Sequence, residues 1–87
     1  MSIGATKHEI ETPALLIDLD IMEANIDRMA RYFNGVRSKL RAHAKTHKSP
    51  IIAQKQIEAG AKGICCQKLG EAEAMANRGI RDILITN

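Results

Sequence analysis

Arg41-Ala42-His43-Ala44-Lys45-Thr46-His47-Lys48, followed at once by Ser49-Pro50, decides how the rest of the chain is read. On a strand, successive side chains point to opposite faces. Arg41, His43, Lys45 and His47 then share one face, and Ala42, Ala44 and Thr46 share the other. The small face can pack on helices. The other carries four nitrogen-bearing side chains, which an ordinary buried strand would not tolerate without partners. Such a strand suits the wall of a site for an anionic ligand. A lysine crowded by cations and partly desolvated has its neutral amine favoured, the form that makes a Schiff base with a carbonyl. Lys45 is therefore the first candidate for a covalent role.

Two other readings compete on the residues alone. A basic octapeptide can be a solvated surface or a nucleic-acid patch. If the segment were helical, His43 and His47 would lie one turn apart and could share a metal, although the glutamate of the metalloprotease motif is missing.

The surroundings favour the strand, which the alternation places over residues 40–47. Ser49 caps the helix that follows, and Pro50 occupies its first position, a strong start signal. Gly60 closes that helix, and residues 63–67 form the next strand. A third helix is expected over 70–78, with Glu71 and Glu73 in its first turn, where the helix dipole favours acids. Gly79 stops it ahead of a strand over 82–86. Upstream, residues 14–19 are an apolar run bounded by Pro13 and Asp20, as a strand buried on both faces would be. Asp20 with Glu23 gives a capping-box-like start to a first helix. Met22, Ile26, Met29 and Phe33 make its apolar stripe, and Asn34-Gly35 ends it. Met22, Met29 and Met75 are all expected in the core.

Strands alternating with helices through short connections are the signature of parallel βα units. The fold class is α/β: parallel (β/α) units forming the N-terminal half of a (β/α)8 TIM-type barrel. A doubly wound dinucleotide fold is disfavoured, because Asp18-Leu19-Asp20-Ile21 stands where the glycine-rich turn would be. A complete barrel takes roughly 250 residues. Residues 1–87 therefore read as the incomplete opening segment of a longer barrel, with open strand edges and inward faces that need a partner.

Composition narrows the function. The chain is 45% hydrophobic, with one Tyr, one Phe and no Trp, which argues against base-stacking platforms for single-stranded nucleic acid. The net charge of +3 is mild and concentrates between Arg37 and Lys55, which favours a small anion over a long polyanion. No apolar run has the length of a membrane span or of a signal-peptide core, and no glycine at position 2 invites myristoylation. The only cysteines, Cys65 and Cys66, are adjacent and would point to opposite faces of a strand, so they cannot bridge without strain. A reduced, cytoplasmic protein with no membrane or nucleic-acid partner is expected.

The run Thr12-Pro13-Ala14-Leu15-Leu16-Ile17-Asp18-Leu19-Asp20, then Asn25-Ile26, resembles the entry strand and first helix of the alanine racemase-like barrel, the fold-type III group of pyridoxal-phosphate enzymes. His43-Ala44-Lys45-Thr46-His47-Lys48-Ser49-Pro50 is similar to the cofactor-lysine segment of one branch, the D-threonine aldolase and D-serine dehydratase family. Gly63-Ile64-Cys65-Cys66-Gln67, Gly70-Glu71-Ala72-Glu73-Ala74 and the run from Gly79 to Asn87 are similar to that branch's next two units. The resemblance implies pyridoxal 5'-phosphate held covalently on Lys45, with His47 as a further cofactor-binding candidate. It implies a lyase acting on D-amino acids with a β-hydroxyl, of the D-threonine or D-3-hydroxy-amino-acid aldolase type. A D-serine dehydratase, or a non-catalytic pyridoxal-phosphate-binding barrel, is the alternative. Phosphate-binding loops, the acid–base partner and a divalent-metal site belong, in the family, to later residues. A homo-oligomer, or association with the rest of the barrel, is expected. His43, and Gln67 and Asn87 at strand ends, are secondary candidates for polar contacts, whereas Asp20 reads as a helix cap.

Overall fold

The computed structural model describes residues 3–86. Three helices alternate with three short strands: α1 (Leu19–Asn34), β1 (Arg41–His43), α2 (Pro50–Glu58), β2 (Gly63–Cys66), α3 (Leu69–Asn77) and β3 (Ile83–Ile85), preceded by a 3-10 turn at Lys7–Glu9. The strands pair in parallel in the order β1-β2-β3, with Ala42 opposite Ile64 and Ile64 opposite Ile83. A sheet whose spatial order follows the chain order is what successive units of a (β/α)8 barrel produce. The parallel α/β expectation holds.

Each βα unit is punctuated by the residues that anticipated it. Ser49 Oγ accepts the Ile52 amide at 3.3 Å, with Pro50 at the first helical position. Gly60 and Gly79 have φ of 126° and 94°, a left-handed region glycine enters at no steric cost, and each turns the chain out of a helix. The core lies on one face of the sheet, where Ala44, Ile64 and Cys66 meet Ala53 of α2 and Ala72 and Met75 of α3. Of the small face expected for the Arg41–Lys48 stretch, Ala44 is buried in this core and Ala42 is half-buried, whereas Thr46 is exposed in the turn beyond the strand.

The structure differs from expectation at the start. Residues 14–18 form no strand: they pair with nothing among the described residues, and Leu15, Leu16 and Ile17 are exposed. An apolar run becomes a strand only when a neighbour supplies its ladder. The cap of α1 is Asp18, whose Oδ1 accepts the Ile21 amide at 3.1 Å, and Asp20 sits inside the first turn. The α1 stripe is also incompletely covered. Met22, Ile26 and Phe33 are half-buried, and Met29 is exposed, along a cleft of about 700 Å3 whose other wall includes Leu40, Ala42 and Ile52. Met75 alone of the three candidate methionines lies in the core. The Lys55 ammonium reaches Glu23 at 2.8 Å and ties α2 to α1.

Candidate functional site at the strand ends

The strands are parallel, so their C-terminal ends gather at one end of the sheet, the end where barrels build their sites. The chain leaves β1 there through Ala44, whose amide still donates to Cys65 O at 2.8 Å. It then turns: the Lys48 amide donates to Ala44 O at 2.8 Å, and Lys48 takes a φ of 52°. Lys45, Thr46 and His47 form that turn. The strand expected to reach residue 47 thus ends at His43, and strand alternation carries neither Lys45 nor His47 onto the face of His43.

Opposite the buried Ala44, the other face of the sheet is built in layers. At the lower end, the Arg41 guanidinium crosses Gly63 to reach β3's approach, with Nη2 at 2.8 Å from Asp82 Oδ1. Arg41 Nη1 donates to Ile64 O at 3.0 Å and to Asp82 O at 3.3 Å. The next layer holds His43, Cys65 and Leu84 side by side. His43 Nδ1 accepts the Lys45 amide at 3.2 Å, and its Nε2 lies 3.4 Å from Thr86 Oγ1. An imidazole that accepts at Nδ1 carries a proton on Nε2, so the ring donates to Thr86. The expected row of free cations is corrected here. Arg41 is matched by Asp82, and both ring nitrogens of His43 are engaged, by the Lys45 amide and by Thr86.

His47 leaves the row for α2. Its Nδ1 accepts the Ser49 amide at 2.9 Å, and its Nε2–H donates to Gln56 Oε1 at 3.3 Å. Partial burial lowers its pKa from the ordinary 6.5, against an opposing pull from Gln56. The unfolded chain therefore takes up its proton near pH 6.5, and the folded chain only at lower pH. Between the two, the unfolded state binds more protons, so stability is full above that window and declines as pH falls through it. His47→Asn keeps an acceptor for Ser49 but does not titrate. Urea midpoints of the intact protein measured from about pH 7.5 to about pH 5.5 are expected to fall less steeply in this variant. An identical slope would assign the acid sensitivity elsewhere.

Lys45 itself is exposed, and among the described residues its amine has no carboxylate partner. Lys55, by contrast, is engaged with Glu23, which raises its pKa through that hydrogen bond and the charge behind it. Lys45 thus pairs an amine without a carboxylate partner with a backbone that leaves β1 at the strand ends, its amide held by a side-chain acceptor. Gln67 stands at the end of β2, its amide donating to Glu71 Oε1 at 3.1 Å. Asn87 lies outside the described residues. Cys65 and Cys66 are free thiols, and burial, with Glu71 and Cys65 nearby, pushes the Cys66 thiol up, as suits packing. Two partners escaped sequence reasoning: Thr86 and Asp82 meet their histidine and arginine across the sheet, and no local pattern announces either pairing.

Known proteins share this frame. A 3-hydroxy-D-aspartate aldolase of Paracoccus denitrificans is 45% identical over 85 residues, covering 97% of this chain and 22% of that protein. A D-threo-3-hydroxyaspartate dehydratase of Delftia sp. (strain HT23) is 45% identical over 75 residues, covering 86% of this chain and 20% of that protein. The crystal structure of D-threonine aldolase from Filomicrobium marinum matches with a TM-score of 0.84 at 49% identity, over 87% of this chain and 20% of that one. The chain spans about a fifth of the length of the curated relatives it matches. Residues 17–87 match the alanine racemase N-terminal domain, and the chain belongs to that family, the fold-type III group of pyridoxal-phosphate enzymes.

Proposed function

We propose that these 87 residues are the opening segment of the barrel domain of a pyridoxal-phosphate-dependent lyase that acts on D-amino acids bearing a β-hydroxyl. The observation that carries the reading is the uncommitted Lys45 amine, set just past β1 at the strand-end mouth in a family that uses this cofactor. Lys45 would hold pyridoxal 5'-phosphate covalently, as the resemblance implies. Bound there, the cofactor supplies an electron sink for the bond being broken. His47 would contribute to the cofactor's surroundings through its ring face, since both its nitrogens are engaged by Ser49 and Gln56. The Arg41–Asp82 pair stands at the lower end of the same face, away from the strand ends where Lys45 leaves β1.

Aldol cleavage is favoured by the relatives named as aldolases, with Cα–Cβ broken to release an aldehyde and glycine or its analogue. The relative named as a dehydratase supports a second reading, in which hydroxide leaves Cβ and ammonia and a 2-oxo acid follow. Among the described residues no three His, Cys, Asp or Glu side chains gather to hold a metal. The divalent metal that the resemblance implies would be held by later residues, as in the family's pattern. No described helix is long and apolar enough to cross a membrane. We place the intact protein in the cytoplasm, as an oligomer or with the remaining barrel covering the open face.

Borohydride reduction of the intact holoprotein followed by peptide mapping tests the assignment. The label is expected on Lys45. Label on Lys39, Lys48 or Lys55 would overturn the choice of lysine, and no label would remove pyridoxal phosphate. Assays of D-threonine for acetaldehyde and for ammonia then separate the two reactions.

A further inference from the structure

His43 does two things with one ring. Lys45 lies beyond the last ladder bond of β1, in a turn whose amides would otherwise look to solvent. Its amide is instead taken by His43 Nδ1 at 3.2 Å. The opposite edge of the same ring closes on Thr86 Oγ1 at 3.4 Å, across the sheet from β1, whose His43 is the register partner of Cys65 in β2. Thr86 is itself fixed, because its amide donates to Cys66 O at 2.8 Å. A backbone position just outside the sheet is thereby referenced to all three strands. The ring is half-buried and its two nitrogens have opposite roles, so only the neutral, Nε2-protonated imidazole satisfies both partners.

We propose that His43 is a positioning residue for Lys45: an imidazole strap from the Lys45 amide to Thr86 that sets where the Lys45 amine stands over the mouth. The proposal rests on the covalent role of Lys45 put forward above and deepens it. Attachment of a carbonyl cofactor needs the amine in a near-attack geometry, and small misplacements cost rate steeply. A strap that fixes the backbone two bonds from that side chain acts on this geometry without touching the cofactor.

The strap has two halves that substitutions separate. In the intact protein, Thr86→Val removes the far partner while keeping shape, and Thr86→Ser restores the hydroxyl. His43→Asn keeps an acceptor for an amide two residues on, as in an Asx turn, but cannot reach Thr86. His43→Leu removes both halves. The first readout is the rate at which pyridoxal phosphate, added to cofactor-free protein, becomes borohydride-trappable on Lys45. The second is the induced circular dichroism of the bound cofactor, which reports how firmly it is oriented.

His43→Leu is expected to slow attachment by about tenfold to a hundredfold and to weaken the dichroic band. His43→Asn and Thr86→Val should agree with each other and fall between His43→Leu and the parent, while Thr86→Ser should match the parent. A merely structural histidine would lower the unfolding midpoint without this graded pattern. If the parent protein is labelled on Lys45, and His43→Leu and Thr86→Val attach cofactor at the parent rate with an unchanged band, the strap is refuted while the role of Lys45 stands. If the parent is not labelled on Lys45, both fall. Should His43→Leu fail to fold, the Val and Ser variants of Thr86 decide: equal rates in the two refute the strap, and a slower Val variant supports it.

Discussion

Lys45→Ala is expected to abolish the absorbance band of the lysine-linked cofactor in the intact protein and to reduce turnover by on the order of 10³-fold or more, the scale on which loss of a nucleophile or a positioned acid–base group is felt. The expectation follows from how the nearby lysines are engaged. Lys55 is paired with Glu23 at 2.8 Å, and Lys48 sits in the left-handed region at the far side of the turn, its amide closing that turn onto Ala44. Lys45 and Lys48 both carry amines without a carboxylate partner among the described residues, and Lys45 is the one that directly follows the last ladder bond of β1, its amide held by His43. Lys45→Arg is expected to rescue nothing, because a guanidinium stays protonated and cannot attack a carbonyl. Lys48→Ala should leave the band in place. A band that survives Lys45→Ala and disappears in Lys48→Ala would move the covalent role across the turn. Turnover retained in Lys45→Ala would remove covalent chemistry from the account.

Much of this arrangement is written locally in the sequence, and the missing parts share a cause. Ser49-Pro50, Gly60 and Gly79 act on their own neighbours, so α2, the turn into β2 and the end of α3 were legible. Ala44 announced the packed face, and Lys45 stood out as a lysine beside it and through a family resemblance. What could not be read depends on partners distant in sequence. Residues 14–18 have a strand's composition, but composition does not supply the neighbour a ladder needs. Alternation carried through to His47 overlooked a constraint already present at Pro50: a βα unit must leave its strand before its helix starts, and Ser49 is the cap. His47 therefore belongs to the turn and bonds forward to Ser49 and Gln56. Arg41 looked like one of four cations because its counter-charge lies 41 positions away at Asp82.

Beneath that pair, Gly63→Ala is the substitution expected to destabilise the fold most for its size, by about 1–3 kcal/mol and toward the upper end of that range. Gly63 has no unusual backbone angle to defend, so its requirement comes from what lies above it. A Cβ built there would collide with the Asp82 carbonyl oxygen, and would stand 2.8 Å from both Asp82 Cβ and Arg41 Nη1. The arginine is the end of a flexible side chain and could move, giving up its 2.8 Å pair with Asp82. The carbonyl cannot move so cheaply, because it accepts the Ile64 amide at 3.0 Å and holds β3 in register with β2. The rigid contact therefore sets the cost. Urea midpoints of the intact protein should fall in Gly63→Ala, and the double variant Arg41→Ala, Gly63→Ala should recover none of the loss. Recovery in the double variant would show that the guanidinium, rather than the β3 backbone, excludes a side chain from this position. An unchanged midpoint in Gly63→Ala would mean that β2 and β3 can separate locally at no cost, which the continuous ladder from Ile64 to Cys66 argues against.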